Sequence, residues 1–387
     1  MTARLRRTFL RAGSIAILTV ALVWVVGGQA LLGRIDPALT VPLLAPPMLL
    51  LAWWQRRDPA ISRRRTVLLA LGLTVAVQAA LALALAGSAA TLQLLLVALA
   101  GGAAALIADA LVRWRPSLRA LPWLAALLFA LAWWGAGHTL LAALYRPAAA
   151  SADAPAATML TGLPLRWPGG ESLASMIAAG ANDDPALARI ERLGPTLLVD
   201  SLADHVPPPG GVLLIAHPRA LAPQELVAID AFVRGGARAV ILADALSSWP
   251  PRHPLGDPRN PPVTSLLTPL LDHWGIALGG APVGEGSVVA VDVQHERLRL
   301  SSAGRFDRLP SACRRFAEGH VAHCRIGKGE AWLVGDADLL HASLWLPLVP
   351  GADHLRQADT MEWIAARLWP GAGRATLHPI WIRSRAD

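Results

Sequence analysis

Cysteine is scarce: the chain has two in 387 residues, Cys313 and Cys324. Neither lies in the apolar N-terminal part, which excludes metal or redox chemistry by thiols there. A Walker motif is absent as well. Gly327-Lys328-Gly329 is followed by neither a Ser or Thr nor a helical pattern. It reads as a hairpin turn and not a phosphate loop, and any ATP hydrolysis falls to a partner. Charge is absent over residues 66–108. Those 43 residues are too many for one membrane span, which takes about 20, and enough for two. A cleaved secretory leader accounts only for the first apolar stretch and not for the later ones.

Acids are few in the same region. Residues 1–146 carry 14 arginines against Asp36, Asp58 and Asp109, a surplus of +11. The whole chain is +8, so the remainder is −3. The basic surplus therefore belongs to the apolar part. The rest offers no basic patch for a phosphate backbone, and nucleic acid is excluded as a partner. The hydrophobic share, 54%, also exceeds the roughly 45–50% of a soluble domain, and the excess is concentrated at the N-terminus.

Residues 1–146 read as a membrane domain of about five transmembrane helices in the lipid bilayer: Ala12–Gly33, Pro37–Trp54, Thr66–Gly87, Thr91–Val112 and Leu121–Tyr145. The second is short and holds Pro42, Pro46 and Pro47, the mark of a broken or re-entrant helix. Twelve arginines fall on one set of flanks, among them Arg4, Arg56, Arg63 and Arg113, against Arg34 and Arg146 on the other. That asymmetry puts the N-terminus in the cytoplasm. Five spans then put the remainder outside the inner (cytoplasmic) membrane, in the periplasm if the cell is Gram-negative; four would leave it in the cytoplasm but break the alternation of the arginine clusters. Asp109 is expected to pair with Arg113 one helical turn on, and His138 to be a packing contact between helices.

Residues 147–157 form an Ala/Pro/Ser linker, 158–370 a soluble α/β domain, and 371–387 a C-terminal tail. Short apolar runs at Thr158–Leu165, Thr196–Val199, Gly211–Ala216 and Ala239–Leu242 read as strands, and Glu171–Ala179 and Asp184–Leu193 as helices. In Pro223–Arg234, Leu226, Ile229, Phe232 and Val233 share one helical face. Strand, helix and strand with buried strands imply a parallel sheet covered on both sides. Further helices are expected at Ser265–Trp274 and Ala358–Leu368, and a hairpin at Val321–Val334.

HPRALAPQELVAIDAFVRGGARAVILAD (217–244), PLLDHWGIAL (269–278) and RIGKGEAWLVGDADLL (325–340), in this order, resemble the extracytoplasmic domain of GldG-like auxiliary components of ABC transporters. The resemblance spans about residues 158–345. It implies a flavodoxin/amidotransferase-like sandwich related to the ThuA-like proteins, and an ABC ATPase and permease as partners. Two features depart from that family: the apolar N-terminus is larger than a usual anchor, and a C-terminal membrane helix is missing.

An amidotransferase-like enzyme needs a Cys on the strand-to-helix elbow and a His partner. The elbow here, GVLLIAHPRAL, holds His217-Pro218 and no Cys or Ser, and His217 alone cannot be both nucleophile and base. The acids Asp244, Asp257, Asp336 and Asp338 follow strands or lie in loops. A crevice at the carboxyl ends of the strands is expected to gather Trp167, His217, Asp244 and Asp336; the plainer reading makes His217 a turn residue and the two acids caps. No spacing is diagnostic of a metal, and no cofactor is expected.

If Glu318-Gly319 is a tight turn, Cys313 falls opposite Cys324, within disulfide reach. Two buried thiols, or a helix over 313–317 that separates them, are the other readings. The expected function is that of a non-catalytic accessory subunit of an ABC-type transport system with an outer domain that binds a ligand or partner. The alternatives are a membrane-anchored, degenerate amidotransferase-like or hydrolase enzyme, and an envelope scaffold or signalling protein.

Overall fold

The computed structural model describes residues 3–383 apart from 115, 119, 167–182, 206, 252, 255, 258, 259 and 282–287. The chain falls into two compact units. The first joins Met1–Arg146 with Pro347–Leu355 and Ala375–Arg383; the second holds Pro147–Leu346 and Arg356–Arg374.

Among the described residues of the first unit, four helices are long and apolar enough to cross a membrane. They are α1 (Ala3–Val25), α3 (Ala60–Leu81, prolonged to Ala86 by a π-helical turn), α4 (Thr91–Arg113) and α5 (Leu121–Leu144). Between α1 and α3, a 3₁₀ helix over Pro37–Leu43 meets α2 (Ala45–Trp54) at 61°. The expected second span is thus a bent pair. Its prolines remove amide donors, and the Val41 carbonyl is taken by Trp133 Nε1 at 2.8 Å. The bend lies close against α5: a Cβ on Gly137 would stand 2.7 Å from the Cα of Pro42. Helix α1 ends at Val25, short of the expected Gly33, because Gly28 takes a left-handed conformation (φ 79°).

The arginine-rich flank is tied by ion pairs. Asp109 meets Arg113 Nη2 at 2.7 Å, as the spacing predicts, and also Arg63 Nε at 3.0 Å; Arg11 pairs with Asp58. The opposite flank holds a fully buried cluster. Asp36 Oδ2 accepts from Arg34 Nη2 and from the Tyr145 hydroxyl, both at 2.6 Å, and Arg34 Nη1 donates to the His354 carbonyl at 2.7 Å. Residues 375–383 join the same unit through Ile35 N to Ile380 O (2.9 Å) and Leu377 N to Leu144 O (3.0 Å). His138 does more than pack: its Nδ1 lies 2.9 Å from His354 Nε2.

The second unit is built on a seven-stranded sheet. Its strands are β1 (Ala157–Thr161), β2 (Thr196–Val199), β3 (Val212–Ala216), β4 (Arg238–Leu242), β9 (Cys313–Phe316), β10 (Val321–Ile326) and β11 (Gly329–Val334). The order is β2-β1-β3-β4-β11-β10-β9; the first five run parallel, β10 alone is reversed, and β9, antiparallel to β10, runs with the first five. Alternation along each strand feeds two cores. Leu214, Val240 and Leu242 face one, with α6 (Pro185–Leu193) and α9 (Thr360–Leu368). Leu213, Ile215, Ala239 and Ile241 face the other, with α7 (Pro223–Arg234) and α8 (Thr268–His273). Each such valine, leucine or isoleucine contributes about 1.5–3 kcal/mol by leaving water. Short strands β5 (Ala277–Leu278) with β8 (Phe306–Arg308), and β6 (Val288–Val293) with β7 (Glu296–Ser301), form two ribbons.

Local chemistry sets the boundaries. Helix α7 starts at Pro223, whose missing amide costs nothing in a first turn, and Glu225 Oε2 reaches back to the Ala222 amide at 3.0 Å. Strand β1 stops at Thr161, earlier than Leu165, because Thr161 Oγ1 turns to the Ala216 carbonyl at 2.7 Å and accepts from Leu163 N at 3.0 Å. Helix α8 starts at Thr268 and not Ser265, whose amide is drawn to the Asp244 carbonyl at 2.7 Å. The expected helix at 171–179 lies outside the described residues.

Candidate functional site

Strands β3, β4 and β11 are adjacent and parallel, so the residues after them meet at one edge of the sheet. His217 follows β3 with φ 47°, a left-handed turn, and is fully buried. Its amide donates to the Leu242 carbonyl at 3.0 Å. Its Nε2 donates to the Pro262 carbonyl at 2.7 Å, which leaves Nδ1 without a partner. Burial lowers its pKa, against the Pro262 carbonyl and the Asp338 charge, which raise it; the ring is neutral at pH 7. Among the described residues, neither ring nitrogen meets a hydroxyl or a thiol.

Asp244 follows β4, and Asp336 and Asp338 follow β11. All three are buried, and their carboxylate oxygens lie within 4.8 Å of one another. Asp244 accepts from Leu246 N (3.1 Å) and Ala337 N (3.4 Å). Asp336 accepts from Ser301 N and Asp338 N, both at 2.7 Å. Asp338 accepts from Ser247 Oγ (3.1 Å), Ser248 N (2.5 Å) and Ser248 Oγ (2.6 Å). Asp244 and Asp336 thus each accept backbone amides of the turn that follows their strand, although Ala337 and not Asp336 is the cap residue of the short helix Asp338–Leu340, and the same side chains also form a cluster. No arginine or lysine pairs with the three among the described residues. Burial, then the Asp338 charge, raises the pKa of Asp244 to about 8. Burial, then Asp244 and Asp338, holds Asp336 well above the carboxylate range. Such a set either keeps a proton or surrounds a hard cation, for which oxygen is the fitting ligand.

Of the four residues expected in one crevice, Asp244 and Asp336 come together, His217 stands at the next strand end, and Trp167 lies outside the described residues. Cys313 and Cys324 are register partners on β9 and β10 and are joined by a disulfide. A cavity of about 480 Å³ lies over the ends of β1 and β2. Arg166, Asp200, Arg219, His253 and Asn260 line it, and sequence reasoning missed all of them. One signal could have found them. The chain runs from β1 to β2 on one side and then to β3 on the other, and ligands of open α/β sheets bind where the strand order reverses.

The chain is a membrane protein whose α/β unit carries buried acids and a polar cavity at the carboxyl edge of its sheet. Residues 197–287, within that unit, match the family described as an ABC-type uncharacterized transport system, and the match supports an auxiliary component of an ABC transporter. No curated protein matches the chain significantly. Solved structures similar to part of it include the exo-β-1,4-mannosidase Op5Man5 from Opitutaceae bacterium strain TAV5 (11% identity, TM-score 0.31, 63% of this chain and 39% of that one). Another is Gan42B, a GH42 β-galactosidase from G. stearothermophilus (12% identity, TM-score 0.28, 57% and 31%). The chain thus spans 39% and 31% of the lengths of these two proteins.

Proposed function

We propose that the protein is a non-catalytic, membrane-anchored accessory subunit of an ABC-type transport system, with an ABC ATPase and a permease as partners. The observation that carries this reading is the family match over residues 197–287 in a chain with four membrane-length apolar helices. The α/β unit is its ligand- or partner-binding part and lies on the extracytoplasmic side of the inner membrane. With the bent pair as a fifth crossing, the arginine asymmetry supports that side, as does the Cys313–Cys324 disulfide, a bond that persists in oxidising compartments. The order of the five parallel strands, the same as in flavodoxin, supports a flavodoxin/amidotransferase-like sandwich. The lack of a hydroxyl or thiol at His217 among the described residues supports a binding role over a catalytic one. Mass spectrometry of what co-purifies with the tagged, detergent-solubilised chain tests the proposal.

A further inference from the structure

We propose that the cavity over the carboxyl ends of β1 and β2 binds a small polar molecule through a carboxylate or phosphate group, held by Arg166 and Arg219. The cavity, about 480 Å³, has the size of a small-molecule site. Its lining holds two arginines and one aspartate, Asp200, and Arg166 is also paired with Asp183 and Glu191. Arginine presents a planar fork of donors that matches a carboxylate or phosphate, and it does not lose its charge at any physiological pH.

The cavity is built before any ligand arrives. Gly162 N donates to the His217 carbonyl at 3.1 Å, and Thr161 Oγ1 to the Ala216 carbonyl, which lace the loop after β1 to the loop after β3. A Cβ on Gly162 would stand 2.8 Å from that His217 carbonyl and 3.1 Å from the Arg219 amide, so the close approach that positions Arg219 needs glycine. Arg166 is oriented from outside the lining: Nε meets Asp183 at 3.3 Å and Nη2 meets Glu191 at 2.6 Å. The opposite wall is the proline-rich loop. Asn260 fixes it by accepting from His253 N and donating to the carbonyls of His253 and Pro254, within 3.0 Å. Groups held in place in advance lose less freedom on binding.

The proposal rests on the reading of the α/β unit as a binding module, but not on its association with a transporter. The test is a thermal-shift titration of the full solubilised chain with inorganic phosphate, citrate and, as the uncharged polar control, sucrose, each to about 10 mM. The expected result is a saturable rise with phosphate or citrate and none with sucrose. Arg219→Gln and Arg166→Gln should each weaken the effective anion about tenfold or more. Arg238→Gln, at the other end of the sheet beside Glu330, should leave it unchanged. Arg219 is exposed, so its variant remains informative if Arg166→Gln fails to fold. A response to neither anion, a response to sucrose alone, or anion binding that persists in both arginine variants overturns the proposal. Because titration and co-purification are read separately, a failure here leaves the accessory role standing, and the reverse also holds.

Discussion

Asp244 and Asp336 end adjacent parallel strands, and each is buried with its carboxylate against the other's and against that of Asp338. Two carboxylates so close and so buried cannot both be charged cheaply.

The stability of the α/β unit should therefore depend on pH in a stated direction. The pKa of Asp244 is raised in the folded state to about 8, so its contribution is fully present below the unfolded-state value and is lost as pH rises towards 8. Over that window the loss is on the order of 1 kcal/mol per pH unit, about 2–4 °C in melting temperature each. Asp244→Asn mimics the protonated group and should flatten the dependence and raise stability at pH 8. Thermal melts of wild type and variant between pH 5 and 9 check this; parallel curves would count against a shared proton.

The membrane unit makes a sharper demand on a single pair. Arg34 and Asp36 are both fully buried. Asp36→Ala leaves the Arg34 charge without its carboxylate, and should lower the stability of the solubilised chain by about 3–5 kcal/mol. Size-exclusion and thermal unfolding in detergent measure it; a loss below about 1 kcal/mol, the range of exposed pairs, would refute the burial of this cluster.

Gly137 tests the bent segment. A valine there drives a side chain into the Pro42 backbone, 2.7 Å from the position of its Cβ. The expected cost is about 1–3 kcal/mol, more than for the same change at Gly135, which has open space around it. Equal effects at the two positions would show that α5 does not approach the bend.

The disulfide closes a loop of 11 residues in sequence separation. Replacing both cysteines by alanine should cost the α/β unit about 2–3 kcal/mol. Intact-mass analysis with and without reductant checks the bond itself, and denaturant melts check its contribution.

Much of the sheet is legible in the sequence. Strands β3 and β4 are continuous apolar runs, and α7 between them has its buried stripe at Ile229 and Val233 with Pro223 and Gly235 as punctuation. The β10–β11 hairpin follows from Gly327 and Gly329, and the register of Cys313 against Cys324 from a turn near Gly319. Other features depend on distance in sequence. Asp244 and Asp336 are brought together by the pairing of β4 with β11, which no local pattern encodes. Arg166 and Arg219 share a cavity because β3 lies beside β1. The return of residues 375–383 to the membrane unit rests on backbone hydrogen bonds such as Ile35 to Ile380, which carry no side-chain signature.

The most direct test of the accessory role is stoichiometric co-purification from native membranes. The tagged chain is solubilised in mild detergent, and its companions are quantified by mass spectrometry. An ABC ATPase and a permease recovered in fixed ratio to the chain is the predicted result. Recovery of the folded chain alone, with neither partner enriched over an unrelated membrane protein, would contradict it.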